Sequence, residues 1–422
     1  MVISVILVVF LEEASDEMKA LIADKFENTG IDELKAVGCE IRYEPGLNGD
    51  ALRDAVVEFR PVILIVRSTK VTAEVVAATE ELSLIIRAGA GYNTIDVAAA
   101  SGRGVAVANC PGKNAVAVAE LTLGLILALD RRIVDNVTDL RNGQWNKKEY
   151  SSARGLKGRT LGVIGTGEIG RSVIRRALAF DMKVIAYSRS LSDPLAEELG
   201  VVRCESPADV AERCDVLSIH VAASPETKGM INADVLNRLR PGSYLINTAR
   251  ADVLDYEAML AAMKERNLRV GLDVYPGEPS VGQGEFVTSV VKAGGIVYGT
   301  HHIGASTDQA QSAIAAEAVR IAKVFATTGE VPNCVNIETH SPAKCQMVVR
   351  HYDKVGVLAG VLDLIRQADI SVKEMSNTIY QGHEAAVAIL RLDKCPSTEV
   401  VESIAAQKDN IIKVEVKPFE CP

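Results

Sequence analysis

The segment Leu161-Gly162-Val163-Ile164-Gly165-Thr166-Gly167-Glu168-Ile169-Gly170 decides the fold of this chain. Its apolar first half predicts a buried strand, and its glycines have the G-x-G-x-x-G spacing of a turn that opens a helix. Such glycines let a pyrophosphate approach the free N–H groups of the helix N-terminus. The strand before and the helix after them favour a dinucleotide site over an ordinary strand–helix turn. The predicted cofactor-binding residues here are Gly165, Gly167, Glu168, Ile169 and Gly170.

Short apolar runs alternate with helical patterns on both sides of this turn. From the turn onward, the predicted strands are 161–164, 183–187, 216–219, 243–246, 270–272 and 296–298. Before it they are 2–9, 63–66, 84–86 and 105–107, with helices at 72–78 and 95–100. This alternation is typical of parallel sheets with helices on both faces, so we predict an α/β fold that contains a doubly wound dinucleotide domain.

Two long helices are predicted at 114–130 and 308–327. The second follows the last strand of the dinucleotide series, and we expect it to pack back on the N-terminal sheet. The substrate-binding domain is then discontinuous, with residues 1–110 and 303–332, and the dinucleotide domain at 111–302 is inserted in it.

A third domain is predicted at 343–422, after a polar linker with two prolines at 331–342. Its strands are expected at 346–351, 370–375, 385–392 and 411–416, and its helices at 355–367 and 397–406. This βαββαβ order is the ferredoxin-like arrangement.

Composition excludes several classes of function. The net charge of −9, with 4% aromatic residues and one tryptophan among 422 residues, argues against a nucleic-acid-binding protein. The apolar start at 1–10 lacks a positive n-region and runs into acidic residues, so we expect a buried strand rather than a signal peptide. The apolar stretch at 115–129 is too short to span a bilayer, so no membrane partner is expected. Eight cysteines without a CxxC pair indicate reduced thiols in a cytoplasmic protein.

Polar residues suited to hydride transfer follow three successive predicted strands. They are Arg250 in Asn247-Thr248-Ala249-Arg250, then Asp273 and Glu278 after the next strand, and His302 after the last. Ligands bind at the carboxyl ends of strands in such sheets. Arginine can hold a substrate carboxylate, histidine can move a proton, and a carboxylate can stabilise the charged imidazole. Taken singly, each also fits a surface ion pair, a cap or a satisfied polar residue.

The segment expected to bind the cofactor's ribose departs from the usual dinucleotide-binding pattern. An acidic residue is expected there about 20 residues after the glycines, where it accepts the ribose 2′-hydroxyl. This chain has Ser188-Arg189-Ser190 instead. Arg189 and the hydroxyls suit a 2′-phosphate, which favours NADP(H). The alternative is an exposed arginine with NAD(H) bound less tightly.

These segments resemble the D-2-hydroxyacid dehydrogenases over essentially the whole chain, and most closely the branch that oxidises 3-phosphoglycerate. Further matches are Val66-Arg67-Ser68, Arg87-Ala88-Gly89-Ala90-Gly91 and His302-Ile303-Gly304-Ala305-Ser306-Thr307. The C-terminal domain is similar to the ACT regulatory module of the short form of that branch. The resemblance implies a flavodoxin-like substrate domain, an inserted Rossmann domain and a ferredoxin-like ACT domain.

The resemblance also implies roles for single residues. His302 would be the acid/base, Glu278 its partner, and Arg250 the group that holds the substrate carboxylate. Arg67 would bind the distal phosphate, and the backbone amides of Ala90 and Gly91 would help to hold the carboxylate. Further cofactor contacts are implied for Val221, Thr248, Ala249, Asp273, Gly304 and Ala305.

The implied reaction is oxidation of 3-phospho-D-glycerate to 3-phosphohydroxypyruvate with NAD(H) or NADP(H), the first step of serine biosynthesis. The implied assembly is a homo-oligomer, dimeric or tetrameric, with an amino-acid effector at the ACT domain.

The sequence departs from the family pattern at several positions. His301 stands where proline is usual, and Ala251 where glycine usually follows the arginine. Asp353 and Ser371 stand where the family has serine-binding asparagines, so the ACT domain either binds another effector or serves in subunit association. Two other functions stay open. One is an NADPH-dependent glyoxylate or hydroxypyruvate reductase, and the other is a dinucleotide-sensing scaffold like the corepressors of this fold.

Overall fold

The computed structural model describes residues 18–279, 284–292, 294–338 and 341–419. They divide into two compact units, with the boundary between Asn336 and Ile337. The first unit contains two parallel sheets, and the second contains one antiparallel sheet.

The first sheet is built from the start of the described chain. Its elements are β1 (Met18–Ile22), α1 (Asn28–Ala36), β2 (Cys39–Tyr43), α2 (Gly49–Phe59), β3 (Ile63–Val66), α3 (Ala73–Val76), β4 (Leu84–Arg87), α4 (Val97–Gly102) and β5 (Ala106–Asn109). The strands are parallel in the order β2-β1-β3-β4-β5. This is the doubly wound order of flavodoxin-like sheets.

Two strands of this sheet were missed from the sequence. The predicted strand 2–9 lies outside the described residues, and the first strand described is β1. Charged side chains interrupt β1 at Lys19 and β2 at Glu40 and Arg42, so neither strand has the continuous apolar run of β3. The four residues of β3 are all buried in the middle of the sheet, which is why its sequence alone identifies it.

The second sheet follows three helices, α5 (Ala115–Arg131), α6 (Ile133–Arg141) and α7 (Lys147–Tyr150). Its elements are β6 (Thr160–Ile164), α8 (Glu168–Ala179), β7 (Lys183–Tyr187), α9 (Asp193–Leu199), β8 (Val202–Arg203), α10 (Pro207–Arg213), β9 (Val216–Ile219), α11 (Ala233–Leu236), β10 (Tyr244–Asn247), a 3₁₀ helix (Ala251–Val253), α12 (Tyr256–Arg266), β11 (Arg269–Leu272), α13 (Ser289–Lys292) and β12 (Ile296–Gly299).

These strands pair in the Rossmann order. The order is β12-β11-β10-β9-β6-β7-β8, with every pair parallel. The six predicted strands are present in the described chain, and β8 adds a short edge strand that the sequence did not predict. The direction of winding reverses between β6 and β9, which is where dinucleotides bind in such sheets.

The helix α14 (Asp308–Thr328) follows β12 but packs on the first sheet. Thr307 caps its N-terminus by accepting a hydrogen bond from the N–H of Ala310, and Gly329 ends it in the left-handed conformation. Its buried residues, such as Ile314 and Ile321, share a core with the strands of the first sheet. The chain therefore leaves the first sheet after β5, forms the second sheet and returns to the first sheet through α14, as the sequence suggested. The exact domain bounds remain a prediction.

The predicted linker at 331–342 is wrong in its first half. The N–H of Val335 donates to the carbonyl of Val107 at 2.7 Å, and the Asn336 side chain accepts from the N–H of Val107 at 2.8 Å. Proline and polar residues suggested a free linker, but Val335 and Asn336 form hydrogen bonds along the edge of β5.

The second unit has the predicted βαββαβ order. It contains β13 (Cys345–Tyr352), α15 (Val357–Gln367), β14 (Val372–Ile379), β15 (Ala385–Leu392), α16 (Thr398–Ala405) and β16 (Ile411–Pro418). The strands are antiparallel in the order β14-β15-β13-β16. Alternate residues of β13 are buried against the helices, as a sheet covered on one face requires.

Candidate active site

Three of the predicted residues follow neighbouring strands of the second sheet. Arg250 lies three residues after β10, Asp273 directly after β11 and His302 three residues after β12. Since β10, β11 and β12 are adjacent and parallel, their carboxyl ends meet at one edge. The structure thus brings together residues that are 52 positions apart at the extremes (302 − 250).

His302 and Glu278 form a hydrogen-bonded pair. Nδ1 of His302 lies 2.6 Å from Oε2 of Glu278, and the other carboxylate oxygen accepts from the N–H of Tyr275 at 2.5 Å. Burial opposes ionisation of Glu278, but these two hydrogen bonds, together with the charges of His302 and Arg250, hold its pKa below the usual value. With Nδ1 engaged, Nε2 is the nitrogen that can exchange a proton with a bound molecule, and 48% of the His302 side chain is exposed.

Asp273 holds the loop that carries His302. Its Oδ1 accepts from the Thr300 hydroxyl at 2.6 Å and from the N–H of Ile303 at 2.9 Å, and its Oδ2 accepts from the N–H of Gly304 at 2.9 Å. His302 has φ of 52°, a left-handed conformation that is strained for a residue other than glycine. The buried carboxylate therefore fixes a strained loop, a positioning role that the sequence did not predict.

Arg250 reaches from the second sheet to the loop after β4. The guanidinium of Arg250 lies against Gly91, so close that a Cβ at this position would displace Nη2. The guanidinium donates to the carbonyl of Ala249 at 2.7 Å through Nη1. Burial lowers the pKa of Arg250, and the negative charge of Glu278 opposes that shift. Arg250 thus lies near both the Gly91 backbone and Glu278, and its role in holding a carboxylate remains a prediction.

Arg67 lies at the carboxyl end of β3, in a turn that Asp24 organises. Asp24 accepts hydrogen bonds from the N–H groups of Arg67 at 2.6 Å and Thr69 at 3.0 Å, and from the Ser68 hydroxyl at 2.9 Å. Burial opposes ionisation of Asp24, but these donors lower its pKa. Sequence analysis found Arg67 but not Asp24, whose partners are more than 40 residues away.

Arg87 is a third arginine at this edge, and it was not predicted as a site residue. It ends β4 and pairs in register with Val66, so it lies beside Arg67 across two adjacent strands. Burial, followed by the positive charges of Arg250 and Arg67, lowers the pKa of Arg87 to about 10. Its position in the motif Arg87-Ala88-Gly89-Ala90-Gly91 was the only signal in the sequence.

The glycine turn after β6 fits a dinucleotide pyrophosphate. Gly165 has φ of 97°, and a Cβ there would collide with the carbonyl oxygen of His220. A Cβ on Gly170 would collide with the carbonyl oxygen of Gly165, whereas the space over Gly167 is open. The helix α8 begins at Glu168, so its free N–H groups face this space, and the Thr166 hydroxyl is buried without a partner.

Comparison with known proteins agrees with this geometry. The model of a family described as D-isomer specific 2-hydroxyacid dehydrogenase, NAD binding domain, matches residues 123–304. Hydroxypyruvate reductase of Thermotoga maritima is 38% identical over 270 residues, which cover 63% of this chain and 85% of that protein. This chain belongs to the D-2-hydroxyacid dehydrogenase family.

Other relatives are D-3-phosphoglycerate dehydrogenases. That of Methanocaldococcus jannaschii is 34% identical over 352 residues, which cover 82% of this chain and 65% of the relative. The match thus spans just under two thirds of that relative's length. A crystal structure of 3-phosphoglycerate dehydrogenase with bound NAD⁺ from Entamoeba histolytica has a TM-score of 0.64 at 27% identity, covering 76% of this chain and 99% of that one.

The remaining predicted cofactor residues follow the carboxyl ends of β9, β10 and β12. The side chain of Val221 lies against Gly165, and the Thr248 hydroxyl lies 2.9 Å from that of Thr122. Ala249 is buried, and the carbonyl of Ala305 accepts from the Gln311 side chain at 2.6 Å.

At the ribose end, Ser188 is half-buried after β7 and its hydroxyl lies 3.4 Å from that of Ser190. Arg189 is exposed. The family model, described as an NAD binding domain, supports a nicotinamide dinucleotide.

The described residues form neither a metal site nor a membrane-spanning helix. No group of three or more metal-ligating side chains occurs among them, and His301 is exposed beside His302. No helix within the described ranges is long and apolar enough to cross a membrane.

Proposed function

We propose that this chain oxidises 3-phospho-D-glycerate to 3-phosphohydroxypyruvate by hydride transfer to a nicotinamide dinucleotide, in the first step of serine biosynthesis. The observation that carries this proposal is the 2.6 Å hydrogen bond between His302 and Glu278 at the edge where Arg250 lies. The alignment with phosphoglycerate dehydrogenases and the position of Arg67 support the phosphorylated substrate.

Binding of the acid follows from the charges at this edge. Arg250 holds the substrate carboxylate with two parallel hydrogen bonds, assisted by the backbone amides of Ala90 and Gly91. Arg67 binds the distal phosphate from the turn that Asp24 fixes. Holding both ends of the acid aligns its C2 atom with the cofactor before reaction.

Proton transfer follows from the His302–Glu278 pair. Neutral His302 accepts the C2 hydroxyl proton at Nε2 while the hydride leaves C2, and Glu278 stabilises the imidazolium that forms. In the reverse direction the imidazolium returns the proton to the oxygen. Arg250 stays charged throughout and balances the carboxylate of the 2-oxo acid.

The cofactor is held by the glycine turn. The N–H groups at the start of α8 bind its pyrophosphate, and Ser188 with Arg189 contacts the ribose that carries either a hydroxyl or a 2′-phosphate. When bound, the dinucleotide supplies the acceptor for the hydride. The absence of a carboxylate at position 188 favours NADP(H) slightly.

The second unit is proposed to be an ACT regulatory domain. Its βαββαβ topology supports this assignment. Ser371, which stands where the family has a serine-binding asparagine, lines an open surface cavity of 660 Å³ in this unit together with Asp369.

We also propose that the protein is a homo-oligomer in the cytoplasm. The helix α6 buries no residue, and it exposes Ile133, Val134, Val137 and Leu140. Such an apolar face suits contact with a second copy of the chain.

A substrate comparison tests this function. Initial rates are measured for oxidation of 3-phosphoglycerate and for reduction of phosphohydroxypyruvate, hydroxypyruvate and glyoxylate, each with both dinucleotides. We expect kcat/KM for phosphohydroxypyruvate to exceed that for hydroxypyruvate by at least about tenfold, because an anion bound to arginine contributes about 1.5–3 kcal/mol. A preference for the non-phosphorylated acids would favour the reductase alternative.

A further inference from the structure

The three arginines at the substrate edge form no ion pair with a described carboxylate, although the negative charges of Asp24 and Glu278 lie nearby. Within the described ranges, no ion pair involves the guanidinium of Arg67, Arg87 or Arg250, although surface arginines elsewhere in the chain are commonly paired. Arg87 is the most isolated. Its Nε is buried without a hydrogen-bond partner, and its Nη1 only approaches the carbonyl of Ala88 at 3.5 Å.

The position of Arg87 is fixed by its own loop. Gly89 has φ of 149°, and a Cβ there would overlap Nη1 of Arg87, so the guanidinium folds over this glycine. Arg250 lies against Gly91 in the same loop, two residues further on. The loop from Gly89 to Gly91 therefore has one guanidinium at each of its glycines, contributed by the two different sheets.

Arg87 lies between the other two arginines. It is repelled by both Arg250 and Arg67, and it follows the strand next to that of Arg67. Burying one cation among two others is unfavourable unless an anion neutralises them. A protein keeps such an arrangement where a ligand supplies the missing negative charge.

We propose that Arg87 binds the second anionic group of the substrate together with Arg67, and so selects acids with two anionic groups over acids with one. The inference rests on the proposed function and adds to it a residue that determines specificity. A carboxylate and a phosphate together carry close to three negative charges, which the three guanidiniums balance. A simple 2-hydroxy acid would leave Arg87 buried with its charge uncompensated.

The test compares Arg87→Met with Arg103→Met, a control that removes an exposed arginine of the same sheet unit. Reduction of phosphohydroxypyruvate and of hydroxypyruvate is measured for each variant and for the wild type. In Arg87→Met, kcat/KM should fall about 10- to 100-fold for the phosphorylated acid, the value of one charge-assisted pair, and much less for hydroxypyruvate. Equal losses on both acids would overturn the proposal.

Thermal unfolding separates a binding role from a structural one. Without added anion, Arg87→Met should unfold at the same Tm as the wild type or higher, because a like-charge contact is relieved. Inorganic phosphate should raise the Tm of the wild type and of Arg103→Met, and raise that of Arg87→Met clearly less. A phosphate-induced shift that is undiminished in Arg87→Met would contradict the proposal.

Two further outcomes have a definite meaning. If Arg87→Met does not fold, Arg87→Lys replaces it, and an unchanged preference for the phosphorylated acid in that variant overturns the proposal. If the wild type itself prefers hydroxypyruvate, the proposed function fails. The phosphate-induced shift in Tm then decides separately whether Arg87 binds an anion.

Discussion

Replacing Glu278 by glutamine removes the negative charge beside His302 while keeping a side chain of the same shape. In the wild type, Oε2 accepts the hydrogen bond from Nδ1 at 2.6 Å, and the amide of Glu278→Gln presents either a neutral oxygen or an N–H group there. The imidazolium that forms during oxidation of the hydroxy acid loses its counter-charge. We therefore expect the chemical step to slow, with little change in dinucleotide binding.

The magnitude follows from the geometry of the pair. A hydrogen bond between charged groups contributes about 1.5–3 kcal/mol. Exposure of 48% of His302 and 26% of Glu278 allows solvent to screen the pair, so the lower half of that range applies. A loss of about 1.5–2 kcal/mol in the transition state corresponds to a fall in kcat of roughly 10- to 30-fold.

The assay is the pH dependence of kcat in the reductive direction, where His302 must donate a proton. Without the carboxylate, the imidazolium loses its charged partner, so kcat should be lower than in the wild type at each pH measured. Glu257→Gln, which changes an exposed carboxylate on α12, is the matched control and should behave as the wild type. An unchanged kcat and pH profile in Glu278→Gln would refute the assigned pairing.

Three shorter predictions concern the predicted cofactor site and the turn at Arg67. Gly165→Ala should lose dinucleotide binding, measured by fluorescence titration, since φ of 97° and the His220 carbonyl exclude a Cβ; normal affinity would contradict the cofactor site. Asp24→Asn should raise KM for phosphohydroxypyruvate more than for hydroxypyruvate, because the turn at Arg67 loses the negative charge and one of the two acceptor oxygens that hold it. Folding lowers the pKa of Asp24, so its carboxylate stabilises the folded protein above about pH 4. This contribution to the free energy of unfolding is lost as the pH falls through the lowered pKa. The Tm values of the wild type and Asp24→Asn should therefore converge at low pH. Ser188→Asp should shift the ratio of kcat/KM towards NADH by about tenfold, and an unchanged ratio would remove Ser188 from cofactor selection.

The strand ends could be predicted from sequence because they follow runs that are buried on both faces. Residues 63–66 and 161–164 are continuous apolar segments, and the polar residues after such runs lie at the carboxyl edge of a parallel sheet. That rule located Arg250 and His302 without any coordinates. It failed for β1 and β2, where lysine, glutamate and arginine interrupt the apolar pattern of strands towards one side of the sheet.

The supporting contacts could not be predicted, since they join residues distant in sequence. Asp24 binds the turn at Arg67 across 43 positions, and Asp273 fixes the His302 loop across about 30. An aspartate after a strand is usually a helix cap or a turn residue. Only the three-dimensional contacts show that Asp24 and Asp273 instead hold distant loops through hydrogen bonds. From the sequence alone, Arg87 cannot be distinguished from other arginines at strand ends. The described structure shows that no carboxylate forms an ion pair with it.

The central claim is that His302 exchanges the substrate proton while the glycine turn holds the cofactor independently. His302→Ala tests it most directly, with single-turnover oxidation of 3-phosphoglycerate and dinucleotide affinity measured on the same preparation. We expect the rate to fall by about 10²–10⁴-fold, the usual contribution of a general acid or base, with dinucleotide affinity nearly unchanged. Turnover at the wild-type rate in this variant would contradict the account.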